Sequence, residues 1–204
     1  MLRKTMILKV LDNKSKALIA IAFAGWLTLL ACSINVKDHD ANGNSKVDIN
    51  TPMGQIHVNE DADVRDTDLP VYPGATLKPK SGNDGDEKSA NVNISSMGYG
   101  LRVVALEYES HDSPDKVIAF YQDKMKKFGS VLQCHTNKRD GDAEASYSGK
   151  NDLSKPVSCT NSSGHVVELK VGTEGNQHIV SVEPEGKGSD FSLVYVQIHG
   201  KQTI

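Results

Sequence analysis

The feature that most constrains this chain is its amino terminus, where a basic stretch precedes a run without any charged residue. Residues 1–16 contain five basic side chains and one acidic side chain, whereas residues 17–31 contain none. As a helix, this run would span about 22 Å, which is short of the ~30 Å hydrocarbon core of a bilayer. The pattern is typical of a signal peptide. Residues 1–31 are therefore predicted to be an export signal outside the folded domain.

The end of the uncharged run is more specific. Leu29, Leu30 and Ala31 lead directly into Cys32. This tetrapeptide resembles the lipobox of bacterial lipoproteins, in which the cysteine is lipidated and becomes the first residue of the mature chain. The resemblance implies a diacylglycerol thioether on Cys32 and a further acyl chain on its amine, and two or three chains anchor a protein firmly. An uncleaved signal anchor and ordinary secretion with an incidental cysteine are the alternatives.

Cysteine counting bears on the same question. The chain has three cysteines, and an odd number in an exported protein requires an explanation. If Cys32 is acylated, Cys134 and Cys159 remain as a pair, and an oxidising compartment allows a disulfide between them. Two buried free thiols that behave as small apolar side chains are the alternative.

Residues 32–46 are polar and have no apolar period, which predicts a lipidated cysteine followed by a flexible tether. Within this segment, Asp40, Asn42 and Asn44 resemble the first, third and fifth ligands of a calcium loop. Such a loop also needs a glycine at its sharp turn and an acidic residue at its end. Ser45 and Thr51 occupy those places, so a plain tether is favoured over a calcium site.

Residues 47–204 are predicted to form a single small domain. Segments 47–58 and 92–103 each alternate apolar and polar residues on both sides of a Met-Gly turn, which predicts two hairpins. Further strands are predicted at 101–110, 130–134, 156–160, 165–171, 177–183 and 191–198. A mobile polar segment is predicted near residues 76–90.

The strongest helix signal follows the second hairpin. Ser113 suits an N-cap, Pro114 suits the first helical position, and Gly129 suits the end. Val117 and Tyr121 begin an apolar stripe at helical spacing. One amphipathic helix must bury its stripe against a sheet. The predicted fold class is therefore α+β, a mostly antiparallel sheet with one main amphipathic helix packed on one face.

Two motifs also carry a family resemblance. The sequence YPGA at 72–75 and the sequence SPDKVIAFY at 113–121 resemble uncharacterised bacterial envelope lipoproteins with a YPGA turn and an SPxKVxxFY helix. The resemblance spans about residues 69–198. It implies a bacterial origin and the same fold, and because its motifs mark a turn and a helix start, it implies no activity.

Charge and motif content disfavour several functions. Residues 32–204 carry a net charge of −7, because the whole chain is −3 and residues 1–31 are +4. Nucleic-acid binding requires clustered Lys and Arg, so it is not expected. The seven histidines are scattered without metal-ligand spacing. No nucleophile elbow or nucleotide-binding loop occurs, so no cofactor is predicted, and Glu107 and Glu109 are expected to be solvated strand residues.

The expected function is that of a non-catalytic, membrane-anchored envelope lipoprotein with a binding or scaffolding role. Its expected partners are the membrane, through the lipid, and an unknown envelope protein, with the domain outside the cytoplasm at the cell membrane or outer membrane. An enzyme with an unrecognised site and a calcium-dependent interaction module are the alternatives. An enzyme predicts a pocket that gathers groups with shifted pKa values, whereas a binding module predicts an exposed apolar patch or sheet edge.

Overall fold

The computed structural model describes residues 33–37, 46–59, 62–78, 89–137, 152–159 and 163–200. Its strands are β1 (Ser33–Lys37), β2 (Lys46–Thr51), β3 (Gly54–Asn59), β4 (Thr76–Leu77), β5 (Ser89–Ser96), β6 (Tyr99–Ser110), β7 (Leu132–Thr136), β8 (Val166–Thr173), β9 (Asn176–Glu185) and β10 (Gly188–His199). The α-helix α1 is Pro114–Met125, and two short 3-10 helices are Val64–Thr67 and Lys126–Phe128.

All of these strands belong to one antiparallel sheet. Its order is β1-β2-β3-β5-β6-β10-β9-β8-β7. The short strand β4 pairs with β6 next to the point where β5 begins, at Ser89. The helix α1 packs on β8, β9 and β10. The predicted fold class, a mostly antiparallel sheet with one main helix on one face, is confirmed.

The two predicted hairpins form as the alternation indicates. β2 and β3 are joined by a two-residue turn at Pro52 and Met53, and β5 and β6 by a two-residue turn at Met97 and Gly98. Both residues of the second turn have positive φ, 44° and 94°, which is the type I′ geometry that suits the twist of a hairpin. The sequence did not predict that β3 pairs with β5, so that the two hairpins lie side by side.

Part of the predicted tether is structured. Ser33–Lys37 forms β1, which pairs with β2 along its whole length. The tether prediction therefore does not hold for these five residues. The physical reason is that Ile34 and Val36 alternate with polar residues, and the outer edge of β2 offers backbone groups with which such a strand can pair.

The helix begins where its sequence predicts. Ser113 has the extended conformation of an N-cap, although its side chain makes no capping hydrogen bond, and Pro114 is the first helical residue. Val117, Tyr121 and Met125 are fully buried. They form one core with apolar side chains of the sheet: Val104, Leu106, Tyr108, Leu169, Val171, Val180, Val182, Phe191 and Leu193. This apolar contact fixes the helix on the sheet.

The YPGA segment inserts into the same core. The backbone N–H of Ala75 donates to the carbonyl of Tyr72 at 3.0 Å, which closes the turn. The Tyr72 ring packs edge-on against Phe120, with centroids 5.2 Å apart, and its hydroxyl donates to Asp112 at 2.9 Å. The Tyr121 hydroxyl donates to the carbonyl of Pro70 at 3.1 Å. The YPGA turn and the helix α1 are therefore packed against each other.

Two local predictions need correction. The strand predicted at 130–134 is displaced to Leu132–Thr136. Residues 156–159 of the strand predicted at 156–160 form no strand, while residue 160 lies outside the described residues. Pro156 makes a single bridge to Thr173, because proline lacks the N–H that a ladder requires. Of the segment predicted to be mobile, Thr76–Leu77 forms β4 and Ser89 begins β5, while residues 79–88 lie outside the described residues.

Cys134 and Cys159 are joined in a disulfide, with Cα atoms 5.5 Å apart. Cys134 lies in β7, at the edge of the sheet, and Cys159 lies in the segment that follows the long polar connection. The pair is separated by 25 positions in the sequence. The bond therefore fixes the end of that connection to the last strand of the sheet.

Replacing both cysteines, Cys134→Ser and Cys159→Ser, should lower the free energy of unfolding by about 3–4 kcal/mol, because the unfolded chain gains the freedom of a 25-residue loop. Urea denaturation of the oxidised protein and of the double variant measures the difference. Reduction of the unsubstituted protein should give the same loss. Equal midpoints for all three samples would show that the bond does not constrain the chain.

Candidate functional site

The two faces of the sheet have different surroundings. The helix α1 and the 3-10 helix Val64–Thr67 pack on one face, here called the helix face. The opposite face is called the far face. Successive residues of a strand alternate between faces, and directly paired residues of neighbouring strands share a face. The register of the sheet therefore defines which side chains make up the far face.

Two apolar rows cross the far face. The valine row consists of paired residues on six strands: Val36, Val47, Val58, Val92, Val103 and Val196. The isoleucine row beside it consists of Ile34, Ile49, Ile56, Ile94, Leu101 and Ile198. Each side chain lies next to its partner on the following strand, so the rows form one continuous apolar surface from β10 to β1.

This surface becomes more accessible toward the sheet edge. Val196 on β10 is only 3% exposed, and the residues on the strands between are half-buried. On β1, Val36 is 57% exposed and Ile34 is 65% exposed. In the part of the chain that the structure describes, β1 is the last strand on this side. The apolar surface therefore ends at an accessible strand edge.

The reverse side of the same strands is polar. Asp48 and His57 are directly paired, with Oδ1 and Nδ1 2.5 Å apart. The Asn93 side chain donates to that of Asn91 at 2.8 Å. The strands β1, β2, β3 and β5, here called the wing, thus separate an apolar far face from a polar helix face.

A polar row also lies on the far face, nearer the opposite ends of the strands. Glu107, Ser192, Ser181 and Glu168 are paired in register across β6, β10, β9 and β8. The last three are at most 5% exposed. Glu168 forms an ion pair with Lys170 at 2.8 Å, while its second oxygen and the two serine hydroxyls are buried without a hydrogen-bond partner. Such groups destabilise a fold unless they are satisfied.

A groove of about 530 Å³ lies on the other side of the molecule, between the first 3-10 helix and the carboxyl end of α1. It is lined by Val64, Arg65, Asp68, Leu69, Pro70, Lys124 and Lys127. Its basic groups already have partners, because Arg65 pairs with Asp63, Lys124 lies 3.6 Å from the Asp123 carboxylate, and Lys127 donates to the carbonyl of Asp68 at 2.6 Å. No histidine lines it.

The groups with shifted pKa values do not gather in this groove. Arg65, hydrogen-bonded to Asp63, lowers the pKa of that carboxyl to about 2. Burial raises the pKa of Tyr121, and burial lowers the pKa of His178 to about 4. Tyr121 belongs to the core and Asp63 to a surface ion pair, so neither is arranged as a catalytic acid or base.

His178 occupies an aromatic setting on the helix face. Its ring stacks on Phe128, with centroids 3.8 Å apart, and packs against Tyr195 at 4.8 Å. It is 6% exposed, and its Nε2 has no hydrogen-bond partner. The nearby charges oppose each other, because Asp68 raises its pKa and Lys127 lowers it. Burial therefore keeps this histidine neutral.

The residues singled out in the sequence have different outcomes. Cys32 and the weak calcium candidates Asp40, Asn42 and Asn44 lie outside the described residues. Among the residues that the structure describes, no group of three or more His, Cys, Asp or Glu side chains is arranged to hold a metal ion. No helix in the described ranges is long and apolar enough to cross a membrane.

The prediction for the paired glutamates is half right. Glu109 is exposed and accepts a hydrogen bond from Thr76 at 3.1 Å. Glu107 lies two residues further from the end of β6, where it is paired with Ser192 on β10 and half-buried in the polar row.

The sequence did not predict the apolar rows. The alternation within each strand indicates which of its residues share a face. The sequence does not indicate the order in which the strands pair, and the rows depend on that order.

Comparison with protein-family models, with curated proteins and with solved structures finds no match to this chain.

The serine hydroxyls of the sheet provide a matched pair of substitutions. Ser181→Ala should leave the free energy of unfolding unchanged or raise it by up to about 1 kcal/mol, because it removes a buried hydroxyl without a partner. Ser189→Ala should lower it by about 1 kcal/mol, since the Ser189 hydroxyl donates to the carbonyl of Asp112 at 3.0 Å. Urea denaturation measures both, and equal losses would show that Ser181 is satisfied.

The neutral state of His178 predicts a dependence of stability on pH. Its pKa falls from 6.5 to about 4 on folding. Between these values the unfolded chain binds a proton and the folded chain does not, so stability should fall as the pH falls from 6.5 to 4. The loss attributable to His178 should reach about 3 kcal/mol.

Urea denaturation at pH 7, 6, 5 and 4 tests this dependence. His178→Phe, compared with its own stability at pH 7, should lose less stability at pH 4 than the unsubstituted protein. His199→Gln, at an exposed site at the end of β10, is the control and should follow the unsubstituted curve. Parallel curves for His178→Phe and the unsubstituted protein would contradict the assignment.

Proposed function

We propose that this protein is a lipid-anchored protein of a bacterial cell envelope that binds a partner protein through β1 and the adjoining apolar rows. The proposed role is binding rather than catalysis. The anchor is Cys32, and the binding surface begins one residue later, at Ser33.

Support for the anchor comes from the sequence. A basic stretch, an uncharged run too short for a typical membrane span, and the sequence LLAC at 29–32 occur in the order of a lipoprotein signal. The disulfide between Cys134 and Cys159 accounts for the other two cysteines, and it is compatible with an oxidising compartment. Acylation would then account for the third.

The observation that carries the binding proposal is the exposure of Ile34 and Val36. They are 65% and 57% exposed, and they continue two apolar rows that reach the buried Val196 and the half-buried Ile198 on β10. Accessible apolar surface of this kind is typical of an interaction site. The strand that carries it also ends the described sheet, so its outer backbone groups face away from β2.

These features fit one class of partner, an extended protein segment with apolar residues at alternate positions. Such a segment can pair with β1 as an added strand, so that backbone hydrogen bonds supply affinity and alternate side chains extend both rows. Anchoring both proteins at one membrane raises their effective concentration. The acidic body gives no electrostatic support for a nucleic-acid partner.

The anchor is tested by intact-mass measurement of the mature protein extracted from membranes. The expected chain begins at Cys32 and carries the mass of a diacylglycerol and a further acyl group. Cys32→Ser should lack this modification, whereas Ser33→Ala should keep it. A mature chain with an unmodified thiol, or with another first residue, would contradict the proposal.

The partner surface is tested by photo-crosslinking in living cells. A photoreactive amino acid replaces Val36, on the far face of β1, or Asn35, on the reverse face. An adduct with one protein should form from position 36 at least about 10-fold more than from position 35. Ile34→Asp should abolish it, because burial of that side chain is worth about 1.5–3 kcal/mol. Equal adducts from both positions would contradict the proposal.

A further inference from the structure

Three chain segments of the wing meet at one end of the sheet, here called the tip end. Ser33, the first residue of β1, pairs with Asn50, one residue before the end of β2. The turn at Pro52 and Met53 follows β2. Gly54 pairs with Ser96, which places the next turn beside the first. The Ser96 hydroxyl donates to the carbonyl of Met53 at 2.8 Å and connects the two turns.

The tip end exposes three large apolar or amphipathic side chains. Met53 is 63% exposed, Met97 is 73% exposed and Tyr99 is 46% exposed. Two of these are methionines at the very turns of neighbouring hairpins, where polar residues and glycine are usual. Three such side chains in or directly beside two adjacent turns form a local apolar projection rather than scattered surface residues.

Met97 is also unfavourable for the turn itself. Its φ is 44°, a region that asparagine, aspartate and glycine adopt more readily than a bulky side chain. Holding a bulky residue there strains the backbone. The positive φ does not favour methionine at this position, and neither does the exposure of its apolar side chain to water. Both observations indicate that the Met97 side chain makes a contact with something outside the domain.

The tip end differs from the rest of the domain in charge. Residues 33–36, 49–56 and 94–100 contain no Asp, Glu, Lys or Arg. The body to which they belong has a net charge of −7, as calculated above from the total of −3. An acidic surface is repelled by anionic lipid headgroups, but an uncharged surface with methionine and tyrosine side chains suits the membrane interface, where tyrosine is enriched.

The tip end is also the end of the sheet that lies next to the proposed anchor. Cys32 precedes Ser33 by one peptide bond, so their Cα atoms are about 3.8 Å apart. Neighbouring strands lie about 4.8 Å apart, which places both turns within about 20 Å of Ser33. Because β1 begins at Ser33 and pairs with β2 at once, no tether separates the anchor from the sheet. Acyl chains on Cys32 would enter the bilayer beside the two turns.

We infer that Met53, Met97 and Tyr99 insert into the interfacial layer of the same bilayer that holds the Cys32 lipid, so that the wing stands on the membrane by its tip end. This inference depends on the anchor in the proposed function. The inference adds an orientation of the domain relative to the membrane. A single lipid attachment would let the domain rotate, whereas three further contacts with the bilayer would fix its orientation. The far face and the edge of β1 then extend away from the membrane, accessible to a partner.

The test uses the full lipidated protein reconstituted into vesicles of phosphatidylethanolamine and phosphatidylglycerol. Gln55→Cys places an exposed thiol at the tip end, and Lys187→Cys places one in the turn between β9 and β10, at the opposite end. Each thiol carries an environment-sensitive fluorophore, and the quencher is a lipid spin-labelled near its headgroup. Quenching should be at least about threefold greater at position 55 than at position 187.

Two variants separate insertion from mere proximity. Met53→Ser combined with Met97→Asn should reduce quenching at position 55 to the level at position 187. Asparagine suits the positive φ at position 97, so this variant retains the fold, which circular dichroism verifies. Leu77→Ser is the control, because Leu77 is 46% exposed but lies in β4, opposite Tyr108 and far from the turns. It should leave quenching unchanged.

Vesicle flotation distinguishes the two proposals. Protein that fails to float overturns the anchor and, with it, the inserted tip end. Protein that floats with equal quenching at positions 55 and 187 keeps the anchor and overturns the orientation. Protein that floats with unequal quenching, unaffected by the double variant, keeps the anchor and overturns insertion of the methionines.

Discussion

The rest of the structure depends on the antiparallel pairing of β6 with β10. Each strand is 12 residues long, and they pair from Ser110 and Ser189 to Gly100 and His199. Every other strand is attached, directly or through neighbours, to one of these two. The side chains on their helix face belong to the main core, among them Tyr108, Phe191 and Leu193. Without this non-local pairing, the two halves of the sheet would have neither a common face nor a common core.

The strands on the two sides of this central pair have different surroundings. Beyond β10, the strands are covered by α1, and the YPGA segment seals the core through Tyr72 and its contacts with Phe120 and Asp112. Beyond β6, the wing has no covering helix in the described part of the chain. Its apolar rows continue from a buried and a half-buried residue on β10 to exposed residues on β1. The sheet is thus covered by the helix on one side of the central pair and accessible on the other.

The sequence predicted much of the local structure. The hairpin around Met97 and Gly98, the helix start at Ser113 and Pro114, and the cysteine pair each depend on residue types or counts visible without coordinates. The predictions that were wrong also have physical reasons. Ser33–Lys37 was interpreted as tether because a five-residue strand at an edge is decided by its neighbour rather than by itself. Glu107 was expected in solvent because its burial depends on β10, which lies far along the chain.

By itself, the sequence determined the hairpins, the helix and the acidic character of the body, since each follows from interactions or charges within a few residues. Only the tertiary structure decided that β3 pairs with β5. That pairing aligns twelve valine, isoleucine and leucine side chains into two rows and brings the second turn next to the first, at the end of the sheet where β1 begins. The reason is that alternation specifies which residues of a strand share a face, but backbone hydrogen bonds between distant segments specify which strand lies next to which.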